Sequence, residues 1–175
     1  MQKIAIRAAV PADFPAIVAL NESEVQYTSP MDLERLRILD ALTCYHRVAC
    51  VDGVVAAFLM VMASDAAYRN DNFEWFVPRY PRFLYVDRIV VSAAARTLRL
   101  GSLLYLDLFA YARANAFPCV TCEYYIVPPN EPSRRFHDRF GFTEQGTQWI
   151  ANGTKQVSLQ VAPASHGDGT ATAGS

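Results

Sequence analysis

The sequence predicts a mixed α/β domain, and three observations predict it. Runs rich in β-branched and aromatic residues alternate with stretches of helical period. Asp-Gly and Asn-Gly pairs stand between neighbouring runs, where they mark antiparallel hairpins. One long amphipathic helix joins two dense apolar runs, as a parallel, right-handed crossover does. With 175 residues, 52% of them hydrophobic and 19% charged, the chain has apolar surface enough for one core. Its formal net charge of −1 supplies no global field to recruit nucleic acid or an anionic membrane, so any anion site must be local.

Residues 3–8 alternate and read as a strand, β1; Pro11 then opens a helical pattern through Phe14, Ile17, Val18 and Leu20. A second helix is expected over 31–42, where Leu33, Leu36, Ile38, Leu39 and Leu42 recur at helical spacing behind Pro30. Asp32 and Glu34 stand in its first turn, where the helix dipole favours anions. Strands β2 (45–51) and β3 (54–63) flank Asp52-Gly53. The stretch 64–82 has no clear period; it carries Tyr68, Phe73, Trp75, Phe76 and Tyr80, while Pro78 and Pro81 exclude long regular elements. Its aromatic side chains would suit an apolar ligand, a partner subunit, or packing over an open sheet face. Strand β4 (83–91), a long helix (98–114), β5 (119–127) and a short helix (133–140) follow. The last strands are β6 (142–147) and β7 (155–161), around Asn152-Gly153. Residues 163–175 are almost all small or polar, which divides the chain into a domain over 1–162 and a disordered tail over 163–175.

Cys119 and Cys122 form a C-x-x-C, but a metal would need a second ligand pair and a thioredoxin-like site a helix start. Cys44, Cys50, Cys119 and Cys122 therefore read as reduced core thiols, and no metal is expected. The first eleven residues hold no apolar run of signal or membrane-span length, and a cytoplasmic protein is expected.

The most informative stretch runs from Val91 to Ser102, from the end of a buried strand into a long helix. Such a turn aims unpaired amide N–H groups and the positive end of the helix dipole at one point, which suits an anion. Gly101 allows close backbone approach, Ser102 adds a hydroxyl, and Arg96 and Arg99 add charge. An ordinary helix cap with two solvated arginines explains the same residues. This stretch resembles the GNAT acetyltransferases, which carry Q/R-x-x-G-x-G/A in this setting after V-x-P-x-x-R: Val91, Arg96 and Gly101 match, whereas Ala93 replaces the proline and Arg99 the first glycine. A second segment resembles the same family's N-x-x-A-x-x-F-Y-x-x-x-G-F, with Asn130, Ser133, Phe136, His137, Gly141 and Phe142 in its positions. The resemblance covers about residues 3–161.

The resemblance implies a GNAT fold, with a mixed central sheet splayed between β4 and β5 and about four flanking helices. It implies a pantetheine arm held by the backbone of Ile89, Val90 and Val91, and a pyrophosphate on Arg96, Thr97, Leu98, Arg99, Leu100, Gly101 and Ser102. Asn130 would contact the CoA arm, with Ser133 beside it, or serve only as a helix N-cap. His137, in the place of the family's tyrosine, would be the general acid that protonates the CoA thiolate. Asp87 on β4 and Glu123 on β5 are the candidate bases, each equally readable as a strand carboxylate satisfied by an arginine; strand alternation points Asp87 and Arg88 to opposite faces. The implied activity is transfer of an acetyl group from the co-substrate acetyl-CoA to a primary amine of a small molecule or peptide. The alternatives are a longer acyl-CoA donor, or a degenerate CoA-binding or protein-binding module without transferase activity. Neither nucleic acid nor membrane is an expected partner, and a homodimer stays open.

Overall fold

The structure, a computed structural model, describes residues 2–165. In chain order the elements are β1 (Ile4–Ala8), α1 (Phe14–Ser23), α2 (Leu33–Leu42), β2 (Tyr45–Val51), β3 (Val54–Ala63), α3 (Asp71–Phe76), β4 (Leu84–Val91), α4 (Leu100–Ala114), β5 (Cys119–Val127), α5 (Glu131–Asp138), β6 (Thr143–Ile150) and β7 (Lys155–Pro163). The strands form one seven-stranded sheet in the order β1-β2-β3-β4-β5-β7-β6. β4 and β5 are parallel, as the crossover helix between them requires, while β1–β2, β2–β3, β5–β7 and β6–β7 are antiparallel. The β4–β5 register pairs only Leu84 with Val120 and Tyr85 with Thr121 among the described residues, although the strands are eight and nine residues long.

The chain divides into two compact units. One comprises the residues up to Ala67 with Val86–Leu108, the other Tyr68–Tyr85 with the residues from Phe109 on. In the first unit the β2–β3 hairpin turns on Asp52 (φ 50) and Gly53 (φ 84), the positive torsions that an Asp-Gly pair supplies for a turn matching strand twist. Helix α2 starts at Leu33 rather than 31, because the Asp32 side chain caps it by accepting from the Arg35 N–H at 2.7 Å. The core of this unit gathers Phe14, Ile17, Leu36, Leu39, Val48, Phe58 and Leu59, all at most 5% exposed. In the second unit the stretch 64–82 holds a helix the sequence did not show, α3, capped by the Asn70 side chain, which accepts from the Phe73 N–H at 2.7 Å. Phe73 and Phe76 pack on Phe83 and Tyr85 with ring centroids 5.4–6.2 Å apart, so this aromatic run covers its own unit's sheet. Trp75 lies against Gly146 of β6, where an added Cβ would stand 2.6 Å from the indole.

Other boundaries also differ from the sequence reading, among them α5, which spans 131–138 rather than 133–140, and β6, which ends at 150 rather than 147. The helix expected from 98 begins at Leu100, because Ala93–Leu98 winds as a 3-10 segment. The first residues of the tail expected over 163–175 are ordered: Pro163 ends β7, and Ala164 is buried, its N–H bonded to the Pro118 carbonyl at 2.9 Å and its carbonyl to Arg113 at 3.0 Å. The rest of that tail, 166–175, lies outside the described residues.

Candidate functional site

In the first unit β4 ends at Val91, and the N–H of Ser92 is held by the Ala56 carbonyl at 2.8 Å. After the 3-10 segment comes Arg99, with φ 56 and ψ 30, in the left-handed region that usually belongs to glycine. The first helical bond of α4 runs from the Leu103 N–H to the Arg99 carbonyl at 3.1 Å. The N–H groups of Leu100, Gly101 and Ser102 precede that bond and have no carbonyl four residues back in the helix to receive them. They point along the helix axis with the positive end of its dipole, the arrangement that receives a phosphate. Arg99 is exposed and makes no ion pair among the described residues, whereas Arg96 is paired with Glu24 at 2.8 Å. Thr97 is exposed and Leu98 half-buried; upstream, Ile89 and Val91 are half-buried and Val90 is buried. The loop residues 96–102 follow the end of β4 directly in this unit, with Arg96 engaged by the Glu24 carboxylate.

Asp87 and Arg88 require a correction. Although neighbours on a strand, they are partners: Arg88 Nε donates to Asp87 Oδ2 at 2.6 Å, with side-chain exposures of 6% and 3%. The long arginine side chain curls back, which alternation alone does not allow for. Its other guanidinium nitrogens donate to Asn21 Oδ1 at 2.9 Å, the Ser29 carbonyl at 3.1 Å and Ser29 Oγ at 3.0 Å. This arginine therefore fastens the α1–α2 connection to β4, and the carboxylate that balances its buried charge is Asp87.

In the second unit Glu123, half-buried on β5, accepts a hydrogen bond from the Tyr85 hydroxyl at 2.9 Å. Asn70 Nδ2 donates to the hydroxyl oxygens of Tyr68 at 2.7 Å and Tyr85 at 3.4 Å. Tyr85 is fully buried and Tyr68 4% exposed, so the carboxylate lies at the end of a network of fixed groups. Asn130 takes the N-cap role at α5, its Oδ1 accepting from the Ser133 N–H at 3.2 Å.

His137 departs from its expected role. It is 4% exposed, surrounded by the rings of Tyr124, Phe136 and Phe142 at centroid distances of 5.6, 5.2 and 5.1 Å. Its Nδ1 lies 2.7 Å from the Ser133 carbonyl and 3.3 Å from Ser133 Oγ. A carbonyl only accepts, so Nδ1 carries the proton of the neutral ring. Burial pushes the imidazole down to about 4, against which the Ser133 hydrogen bond and nearby Asp138 act only partly. Burial thus favours the neutral ring near pH 7, with its Nδ1 proton directed at the Ser133 carbonyl. Ser133 is half-buried on α5, one turn before His137. Among the cysteines, Cys119 and Cys122 stand on β5, their thiols pushed up by burial, that of Cys119 to about 11.

The chain is an α/β protein with a mixed sheet, a short parallel β4–β5 pair and a strand-to-helix turn after β4. The family model described as "Acetyltransferase (GNAT) family" matches residues 12–142, and the chain belongs to that family, whose co-substrate is acetyl-CoA. Phosphinothricin N-acetyltransferase of Streptomyces viridochromogenes is 35% identical over 100 residues, 57% of this chain and 48% of the relative, so the match spans about half that protein's length. Two solved structures share the fold. Ard1 from Thermoplasma volcanium is 15% identical, covering 91% of this chain and 97% of that one with a TM-score of 0.74. A Salmonella typhimurium structure with its cofactor acetyl-CoA is 21% identical, covering 92% and 94% with a TM-score of 0.69. No helix among the described residues is long and apolar enough to cross a membrane.

Asn70, Tyr68 and Tyr85 were missed by sequence reasoning. The available signal was a phenol inside an otherwise apolar run, Phe83-Leu84-Tyr85-Val86, because a buried tyrosine hydroxyl demands a partner.

Proposed function

We propose that the chain transfers the acetyl group of acetyl-CoA to the primary amine of a small molecule or peptide in the cytoplasm, with Glu123 as the general base. The observation that carries this reading is the turn into α4. Arg99 adopts at φ 56 the backbone that a glycine would supply, so the loop keeps its anion-receiving shape despite the missing residue. The N–H groups of Leu100, Gly101 and Ser102 bind the pyrophosphate there, helped by the charge of Arg99. Backbone groups of Ile89, Val90 and Val91 hold the pantetheine arm as an added strand would be held. Bound acetyl-CoA supplies an activated thioester, and the chain's own task is to deliver a neutral amine to it. The Glu123 carboxylate accepts the amine's proton; Asp87, committed to Arg88, is left to hold structure. The acceptor favoured first is a small amino-acid-like amine, because the relative sharing 35% identity is named for phosphinothricin.

Calorimetric titration with acetyl-CoA, followed by a thiol-release screen of amines beginning with phosphinothricin, tests the proposal. Saturable binding with acceptor-dependent thiol release is expected. No binding at high micromolar ligand would leave a partner-binding module, and binding without release for any amine would leave a CoA-binding one.

A further inference from the structure

The hydroxyl of Tyr85 has one proton and stands between two groups of opposite hydrogen-bonding character. Asn70 Nδ2–H approaches its oxygen at 3.4 Å, while Glu123 Oε1 lies 2.9 Å away and can only accept when ionised. The phenol's lone pair is thus turned towards Asn70 and its proton towards Glu123. Asn70 is itself fixed, because its Oδ1 caps α3 at the Phe73 N–H and its Nδ2 also binds the Tyr68 hydroxyl at 2.7 Å. Tyr68 and Tyr85 are held in turn by Phe73, with ring centroids 5.3 and 5.4 Å away. The parallel register makes the reach possible: Tyr85 pairs with Thr121, two residues before Glu123 on the same side of β5.

We propose that Tyr85, oriented by Asn70, is a positioning residue that holds the Glu123 carboxylate ionised and fixed for proton acceptance. The inference rests on the proposed role of Glu123 as base. A hydrogen bond donated to a carboxylate favours the ionised form, and inside a protein such a bond is stronger than its counterpart in water. The neighbouring Cys122 thiol also interacts electrostatically with this carboxylate, and Tyr68 reaches it through Asn70 and Tyr85. The Cys122 thiol is pushed well up by burial and stays protonated. The α3 segment therefore acts on the base through its N-cap residue, which ties the aromatic connection to the chemistry without any of its rings touching substrate.

The test uses the full chain labelled with 13C at glutamate carboxyls, with Glu123→Gln identifying the Glu123 signal. In Tyr85→Phe the titration midpoint of that carboxyl should rise by about one pH unit, a tenfold gain in proton affinity, and in Asn70→Ala by a smaller amount. The acid limb of kcat/KM should move by the same amount in each variant while acetyl-CoA affinity stays within twofold. A midpoint unchanged in Tyr85→Phe overturns the proposal even if Glu123→Gln abolishes turnover. Full turnover in Glu123→Gln overturns the role of the carboxylate itself, whatever Tyr85→Phe does.

Discussion

Replacing His137 should change how stability depends on pH before it changes catalysis. In the unfolded chain this histidine takes up a proton near pH 6.5, whereas the folded protein holds it neutral down to about pH 4. Above pH 6.5 both states are neutral and the folded state is not penalised. As the pH falls below that point the unfolded chain binds a proton that the native chain refuses, so stability declines until the native imidazole itself titrates. Between pH 7.5 and 5.0 this amounts to a loss of about 2 kcal/mol, from the two titration midpoints and 1.36 kcal/mol per pH unit. His137→Leu keeps an apolar side chain among Tyr124, Phe136 and Phe142 and removes that loss. Urea denaturation at the two pH values, on wild type and variant, reads the difference. His46, also buried and also pushed down by burial, contributes equally in both proteins and cancels. Equal pH dependence in the two proteins would refute the argument, as would a His137 imidazole signal that titrates near pH 6.5. The same variant should turn over acceptor within about threefold of wild type, since the one proton of the neutral ring is committed to the Ser133 carbonyl.

Arg99→Gly should be no less stable than wild type to within about 1 kcal/mol, because relief of a left-handed residue offsets glycine's larger unfolded-state entropy. Arg99→Val should lose about 1–3 kcal/mol at the same position by thermal denaturation, since a β-branched residue tolerates φ 56 poorly. Gly146→Ala should cost about 1–3 kcal/mol by forcing the Trp75 indole aside, and most of that cost should vanish in a Trp75→Leu background. Asp87→Asn should cost about 3–5 kcal/mol in a urea titration by leaving the buried Arg88 charge uncompensated; a loss below about 1 kcal/mol would mean that Asn21 and Ser29 suffice.

The strands were legible because their signals are local. The β-branched runs and the Asp52-Gly53 and Asn152-Gly153 turns need no knowledge of distant residues, and β1 to β7 fall where those signals put them, within about three residues at their ends. Helix α3 was not legible, since six residues are less than two turns and show no period, and its one marker is the capping Asn70. The pairing of Asp87 with Arg88 escaped for a different reason. Alternation describes where Cβ atoms point, and a guanidinium four bonds further out can return to its neighbour when Asn21 and Ser29 bind its far side. The link from Tyr85 to Glu123 depends on strand register, which no single-sequence pattern specifies when both strands are buried.

The two motif segments show why residue identity is an incomplete guide to a site. At Arg99 the identity departs from the glycine pattern, yet the backbone sits at φ 56, ψ 30 and the N–H groups of α4 face outward along its axis. What the loop requires is a torsion, and an arginine adopts that torsion for about 1–2 kcal/mol. At His137 the spacing agrees with the pattern, but burial disfavours the charged ring and the Nδ1 proton is held by the Ser133 carbonyl. Three aromatic rings, Tyr124 of β5, Phe136 of α5 and Phe142 just before β6, remove the water that an imidazolium needs. Arg99 thus takes a left-handed torsion where the letter departs from glycine, and His137 is held neutral by burial where the letter could ionise. The two cases have one cause: a short motif records what a position usually holds, while its chemistry is set by torsions and neighbours that the fold supplies.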